Sequence, residues 1–249
     1  MRKFTQSLAL AALLLSTSAY AQNVAPAATV AAKAAKVPWL YEGSDVPVDD
    51  TWTFGVLPNG LRYAVKKNDV PAGQVSIRVR IDAGALHENN DEQGFAHLIE
   101  HLSFRGSTFV PDGEAKRIWQ RFGVTFGSDS NAQTTPTQTV YKLDLPNATP
   151  EKLDESVKII SGMIRNPRIS PSALNAERAI VLAELRENSG AQMVYSDALR
   201  QHAFQGQRLA NRSTIGTPET LQAADALRLS AFHDRWYRPE NAVVVMAGD

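Results

Sequence analysis

Two histidines stand four residues apart, with a glutamate between them, in the pentapeptide His97-Leu98-Ile99-Glu100-His101. Residues i and i+4 share one face of an α-helix, so a helix would let both imidazoles reach a single metal ion. Apolar side chains at Phe95, Leu98, Ile99 and Leu102 make a second face that needs a core to pack against. We therefore predict a helix over residues 91–104, buried on one face and carrying a metal site on the other.

The alternative to a metal site is that both histidines lie on the helix for structural reasons only, either exposed or hydrogen-bonded. The pentapeptide, however, matches the inverted HxxEH arrangement found among catalytic zinc motifs. With 5 histidines in 249 residues, chance produces such a match on the order of 0.005 times per chain. The metal site is therefore the favoured interpretation. Glu100 then flanks the two histidines, where its carboxylate can meet a water molecule.

The chain has no cysteine, which excludes disulfides, Cys-ligated zinc, iron–sulfur clusters and thiol nucleophiles. A catalytic zinc usually has three protein ligands, so the third must be His, Asp or Glu. The predicted helix over residues 171–188 offers Glu177 and Glu184, which lie seven residues apart and hence on nearly one face. Position alone does not choose between these two carboxylates.

The N-terminus has the pattern of an export signal. Met1-Arg2-Lys3 precede a short Ala/Leu-rich run, and small residues follow at Ala19-Tyr20-Ala21. This three-part pattern predicts a signal peptide over residues 1–21 and a periplasmic or secreted protein, because a membrane anchor needs about 20 apolar residues. Residues 22–45 are rich in Ala, Val and Pro and are predicted to form a flexible linker. Alternatively, Trp39-Leu40-Tyr41 could dock this segment onto the folded body.

Residues 46–249 are predicted to form one catalytic domain of mixed α and β structure. Apolar and polar residues alternate over residues 74–83, which is typical of a half-buried strand, and Asn59-Gly60 predicts a hairpin turn. A hairpin followed by strands mixed with helices indicates the α+β class, with a mostly antiparallel sheet covered by helices on one face. The predicted strands are 51–56, 61–66, 74–83, 138–145 and 242–247, and the predicted helices are 91–104, 112–122, 150–165, 171–188, 193–204 and 218–236.

The charge balance limits the partners. The chain carries 26 Lys+Arg and 26 Asp+Glu, a formal net charge of zero. A general nucleic-acid binder normally has a basic excess or stripe, so no nucleic-acid partner is expected. After the signal, no stretch is long and apolar enough to predict a transmembrane segment.

Short segments along residues 50–249 match one known family in addition to the pentapeptide. They are Leu57-Pro58-Asn59-Gly60-Leu61-Arg62, Ala83-Gly84, Glu88, Gly94-Phe95-Ala96, Phe104-Arg105-Gly106-Ser107, Asn131-Ala132, Thr139-Val140-Tyr141, Glu177-Arg178, Val181-Leu182-Ala183-Glu184, Ile215-Gly216 and Tyr237-Arg238-Pro239-Glu240-Asn241. In these segments the chain resembles the N-terminal catalytic domain of the pitrilysin/insulysin family of zinc metallopeptidases, which includes the mitochondrial processing peptidases.

This resemblance implies a zinc-dependent endopeptidase or oligopeptidase that hydrolyses extended peptides or unfolded segments, with one Zn²⁺ per chain. It implies that His97, His101 and Glu184 are the metal ligands. Glu100 would be the catalytic base that takes the proton of the attacking water. Glu177 would be a supporting acidic residue and not a ligand.

The resemblance also implies that Asn131 and Ala132 lie on a strand edge that binds substrate, although a plain polar loop is an equal alternative for this segment. Members of the family build a chamber from two homologous halves, so residues 46–249 would be a truncated catalytic domain completed by a second half or a partner subunit. The alternative function is a zinc-retaining peptide-binding or assembly subunit without turnover of its own.

Overall fold

A computed structural model describes residue 39 and residues 41–249 of the chain. The predicted signal peptide, residues 1–21, and most of the predicted linker lie outside the described residues. Trp39 and Tyr41 pack against Phe54, with ring centroids 5.0 and 5.1 Å from it. These two side chains thus contact the folded body, as the docking alternative expects, while the flexible linker stays a prediction.

Six strands of the described residues form one sheet, in the order β1-β2-β6-β3-β5-β4. The β2–β6 pair is parallel and the other four pairs are antiparallel, which confirms the predicted mostly antiparallel sheet. The strands are β1 (Thr53–Val56), β2 (Arg62–Lys67), β3 (Val75–Ile81), β4 (Ser130–Thr134), β5 (Thr139–Leu145) and β6 (Ala242–Gly248).

Seven α-helices accompany the sheet in the described part of the chain. They are α1 (Phe95–Ser103), α2 (Glu114–Arg121), α3 (Pro150–Arg165), α4 (Pro171–Glu187), α5 (Ala191–Ala203), α6 (Pro218–Ala223) and α7 (Ala226–Trp236). None of them is long and apolar enough to cross a membrane.

The single helix predicted over residues 218–236 is wrong, because the structure divides it into α6 and α7. Ala224 takes an extended conformation between the two helices. Asp225 then starts α7, where its side chain accepts a hydrogen bond from the backbone N–H of Arg228. Such a side-chain cap is the usual start signal of a helix, and here it interrupts an otherwise continuous helical pattern.

One face of the sheet carries the hydrophobic core. Alternate residues of β3 and β5 are buried in a cluster that also contains side chains of α1, α3, α4 and α7. The intervening residues turn to the opposite face, where Arg78 forms an ion pair with Asp144 at 2.8 Å. This alternation is the pattern expected of strands with one buried and one polar face. The buried hydrophobic residues of β3 and β5 are Val75, Ile77, Val79, Ile81, Tyr141, Leu143 and Leu145.

Helix α1 lies in the middle of this core. Its apolar residues Phe95, Leu98, Ile99 and Leu102 have no exposed surface at all, as the sequence pattern predicted. The helix begins at Phe95, four residues later than expected, because Gly94 before it adopts a left-handed conformation with φ of 91°. Burial of the apolar face leaves the opposite face of α1 to the cleft described next.

Candidate metal centre

The N-terminus of α1 is held by a buried carboxylate. Gly94 at the N-cap has no side chain to cap the helix, and the Glu88 carboxylate instead accepts the backbone N–H groups of Gly94 and Ala96 at 3.0 and 2.9 Å. These are two of the free donors that every helix start presents. Burial raises the pKa of Glu88 to about 7, although the two N–H bonds act to lower it. Glu88 thereby fixes the start of the helix that carries the histidines.

The structure brings His97, His101 and Glu184 together. The Nε2 atoms of His97 and His101 each lie 3.7 Å from Oε2 of Glu184. One ligand atom from each residue falls within 4.8 Å of the other two. Helix α1 supplies both histidines from one face, and α4, which packs beside α1, supplies the carboxylate. Two imidazoles and one carboxylate make a donor set that suits zinc, and no cysteine is needed.

Glu177 contacts this group through His101. Its Oε2 accepts a hydrogen bond from Nδ1 of His101 at 3.0 Å, and its other oxygen accepts one from Arg105. Because an ionised carboxylate can only accept, the proton of His101 is placed on Nδ1 and the Nε2 lone pair is left facing Glu184. Metal-binding histidines are commonly oriented by such a partner. Of the two carboxylates that sequence position left open, Glu184 is the one beside both histidines.

The two histidines differ in their proton affinity. Burial lowers the pKa of His97 to about 4, with the neighbouring His101 adding to the effect. Burial also acts to lower the pKa of His101, but the hydrogen bond to Glu177 and the charges of Glu177, Glu100 and Glu184 together outweigh burial, and the net shift is upward. His97 is therefore neutral at physiological pH with Nε2 free to bind. The residues present thus fit a zinc ion.

Glu100 is nearly buried and lies in the same cleft as the three candidate ligands. Burial raises the pKa of its carboxyl, while a hydrogen bond from Thr134 acts against this rise. The Thr134 hydroxyl lies 2.5 Å from Oε2 of Glu100. A carboxylate whose pKa is raised toward the working pH has the property required of a general base.

An open cleft of about 630 Å³ contains this group. Helix α1 and strand β4 line one part of it, and Asn188, Gln192 and Met193 line another. The segment around Asn131 and Ala132 is a strand in the structure and not a plain polar loop. The structure thus places both of these predicted substrate-binding residues at the cleft.

Strand β4 forms an edge of the sheet, since β5 is its neighbour on one side only. The N–H of Thr135 bonds to the carbonyl of Gln138 across the hairpin, so the antiparallel alternation turns the main-chain groups of Ala132 and Thr134 away from β5. The N–H of Ala132 bonds to Oδ1 of Asn131 at 2.9 Å. The outer edge of β4 therefore has main-chain groups directed at the cleft.

Sequence reasoning assigned no role to two residues of the site. Glu88 stands only among the segments that carry the family resemblance, and the sequence gives no signal for Thr134. Glu88 lies six residues before Gly94, and Thr134 lies far from Glu100 in sequence, so no spacing rule connects them. Their roles depend on tertiary contacts.

Comparisons with known proteins show the family to which this fold belongs. The family model of Insulinase (Peptidase family M16) matches residues 63–217. The chain is 33% identical over 210 residues to the probable zinc protease PqqL of Haemophilus influenzae, covering 84% of this chain and 23% of that protein. The crystal structure of the periplasmic protease PqqL from Escherichia coli superimposes with a TM-score of 0.78 at 31% identity, covering 82% of this chain and 22% of that one.

The crystal structure of the first half of that Escherichia coli protein gives the same TM-score, 0.78, over 82% of this chain and 44% of that chain. The chain therefore spans less than a quarter of the length of these full-length relatives and less than half of the length of this half-protein. The family match covers well over half of the chain and confirms the resemblance drawn from the short motifs. The chain belongs to the insulinase family of peptidases, Peptidase family M16.

Proposed function

We propose that the chain is a zinc-dependent peptidase domain that hydrolyses peptide bonds in extended peptides or unfolded segments. One observation carries this proposal: His97, His101 and Glu184 converge within 4.8 Å in the cleft that also contains Glu100. The relatives named above are described as proteases, one of them as a probable zinc protease. The donor chemistry, the buried base and the family point to the same reaction.

The zinc ion would be held by Nε2 of His97, Nε2 of His101 and the carboxylate of Glu184. When bound, such an ion supplies Lewis-acid polarisation of a carbonyl and lowers the pKa of water. Glu177 keeps the His101 ring in the orientation that directs Nε2 at Glu184. Arg105 neutralises the Glu177 carboxylate on its other side, so this supporting carboxylate stays in place next to the ring.

Glu100 acts as the general base in this proposal. Its carboxylate removes a proton from the attacking water and later delivers that proton to the leaving amine. Burial favours this role because it raises the pKa of the carboxyl. The position next to His101 on α1 keeps the base beside the metal ligands without making it a ligand.

The substrate is proposed to bind as an additional strand along the outer edge of β4, next to Asn131 and Ala132. Addition of an extended peptide to an exposed strand edge uses main-chain hydrogen bonds, so it accepts many sequences. The main-chain groups of Ala132 are directed at the cleft, which supports this arrangement. The N–H of Ala132 is already bonded to the Asn131 side chain, so a bound peptide would have to displace that side chain.

Two further proposals concern the whole protein. The chain spans 23% of the length of the Haemophilus influenzae relative, and we infer that a second homologous half or a partner subunit completes the substrate chamber.

The predicted signal peptide and the periplasmic relative support export to the periplasm or beyond. Export is tested by expressing the chain in bacteria and fractionating the cells. A protein that stays in the cytoplasm and keeps residues 1–21 would contradict export.

The reaction is tested by replacing Glu100 with glutamine. Wild type and Glu100→Gln are compared for bound zinc per chain and for cleavage of an internally quenched peptide. Glu100→Gln should keep one zinc, because Glu100 is not a ligand, and should lose activity by about 10²- to 10⁴-fold, the usual contribution of a general base.

Retained turnover in Glu100→Gln would refute the assigned mechanism. One zinc per chain in wild type without peptide cleavage, even after the chain is joined to a second homologous half, would favour the alternative function, a zinc-retaining peptide-binding or assembly subunit. Absence of zinc from the wild-type protein would overturn both functions.

A further inference from the structure

We propose that Thr134 is a positioning residue that orients the Glu100 carboxylate and links it to the strand on which substrate binds. This inference rests on the proposed function. Thr134 is the last residue of β4, and Glu100 lies in the middle of α1. The 2.5 Å contact between the Thr134 hydroxyl and Oε2 of Glu100 joins the two elements in the cleft.

The direction of this hydrogen bond follows from the neighbouring hydroxyl. Thr139 on β5 donates its own proton to the carbonyl of Ala83 at 2.9 Å. The oxygens of Thr134 and Thr139 lie 3.5 Å apart, so Thr139 can only accept there, and at a poor distance. The ionised carboxylate is the stronger and closer acceptor. The proton of Thr134 is therefore directed at Glu100.

The hydrogen bonds that orient the Glu100 carboxyl come from Thr134. The hydroxyl and the backbone N–H of Thr134 both bond to the Glu100 carboxyl, and the hydroxyl bond has the larger effect on its pKa. A glutamate side chain otherwise rotates about its terminal bonds with little preference. A base must stand within hydrogen-bond reach of the water it deprotonates, so rotation of the carboxylate would lower the rate without affecting the metal ligands.

The same residue belongs to the edge that faces the cleft. Thr134 lies two residues after Ala132 on β4, and the main-chain groups of both turn away from β5. A peptide that pairs with this edge would hold β4 in place and, through the Thr134 hydroxyl, would hold the base as well. Thr134 thus connects occupation of the strand edge with alignment of Glu100.

The test compares three variants with wild type. Thr134→Val keeps the shape of the side chain and removes the hydroxyl, Thr134→Ser keeps the hydroxyl, and Thr137→Val makes the same exchange at an exposed position of the neighbouring hairpin. For each variant we would measure kcat and KM for a quenched peptide, bound zinc, and the structure of the zinc-loaded crystal.

Thr134→Val should lower kcat about 10- to 100-fold, as expected for loss of a supporting hydrogen bond in a metal site, with KM and bound zinc within twofold of wild type. Its crystal structure should show the Glu100 carboxylate rotated away from its wild-type position. Thr134→Ser should restore both the rate and the carboxylate position, and Thr137→Val should match wild type. If Thr134 had only a structural role, Thr134→Ser would not restore kcat while KM and bound zinc stay constant.

Two outcomes would overturn the proposal: an unmoved Glu100 carboxylate in the Thr134→Val crystal, or a moved carboxylate with unchanged kcat. If wild type has no turnover even after it is joined to a second homologous half, the proposed function fails, and the crystal comparison alone decides the role of Thr134. A Glu100 carboxylate that rotates in Thr134→Val and returns in Thr134→Ser then supports positioning by Thr134.

Discussion

Removal of Glu184 should abolish the stabilisation of the protein by zinc. The Glu184 carboxylate lies 3.7 Å from the Nε2 atoms of both histidines, and its side chain is 39% exposed. Because this side chain is partly exposed, its loss should change the stability of the metal-free protein by less than about 0.5 kcal/mol, as for ordinary surface substitutions. Any large effect of Glu184→Ala must therefore come from the bound metal.

The size of that effect follows from linkage. A ligand that binds only the folded state at about 1,000 times its dissociation constant stabilises it by about 4 kcal/mol. For a folded unit of about 200 residues, each kcal/mol raises the melting temperature by about 2–4 °C. Zinc should thus raise the melting temperature of wild type by about 8–16 °C, and that of Glu184→Ala by no more than a few degrees.

Thermal unfolding followed by circular dichroism, with a chelator and with excess zinc, measures both shifts. Glu187→Ala is the matched control, since Glu187 lies on the same helix at an exposed position beyond the ligand. This control should keep the full zinc-induced shift. A wild-type-sized shift in Glu184→Ala would refute the assignment of Glu184 as a ligand, and loss of the shift in Glu187→Ala would show that the effect is not specific to the site.

Two further predictions concern carboxylates that are not among the proposed ligands. Glu177→Gln should lower zinc affinity about 10- to 100-fold, because His101 loses its anionic partner; competition with a chromophoric chelator measures this, and affinity within twofold of wild type would contradict it. Since the pKa of Glu88 is raised to about 7 in the fold, against about 4.3 when unfolded, the folded state binds this proton more tightly. As pH falls from about 7 to 4.5, Glu88 should add at most about 3 kcal/mol to the free energy of unfolding of the metal-free protein, while the lowered pKa of His97 acts in the opposite direction. Urea titrations should show the Glu88 contribution as the difference in pH dependence between wild type and Glu88→Gln.

The regular elements could be predicted from the sequence because their burial is local and periodic. Strand β3 alternates apolar and polar residues, and the helix predicted over residues 150–165 has the bounds of α3, Pro150–Arg165. The pentapeptide identified His97, Glu100 and His101 because a helix brings them to one side without any tertiary information. These parts of the fold and the site can be predicted from the periodicity of helices and strands alone.

The remaining features depend on contacts between distant segments. Strand β4 contains few apolar residues, so an apolar alternation does not predict it. Its polar side chains lie in the hairpin with β5, and Thr134 bonds to Glu100 on α1. The parallel pairing of β2 with β6 joins the two ends of the folded body, which no local pattern encodes. Glu177 and Glu184 lie on nearly the same face of α4. Only the packing of α4 on α1 shows that Glu177 is the partner of His101 and that Glu184 lies beside both imidazoles.

Crystals of the zinc-loaded chain, measured at the zinc absorption edge, would locate the metal directly. We expect one anomalous peak per chain, about 2.0–2.2 Å from Nε2 of His97, Nε2 of His101 and a carboxylate oxygen of Glu184. Glu177 should remain bonded to His101, and Glu100 should lie beside the ion without binding it. A zinc ion held by other residues, or an empty site in protein that contains stoichiometric zinc, would contradict the proposed metal centre.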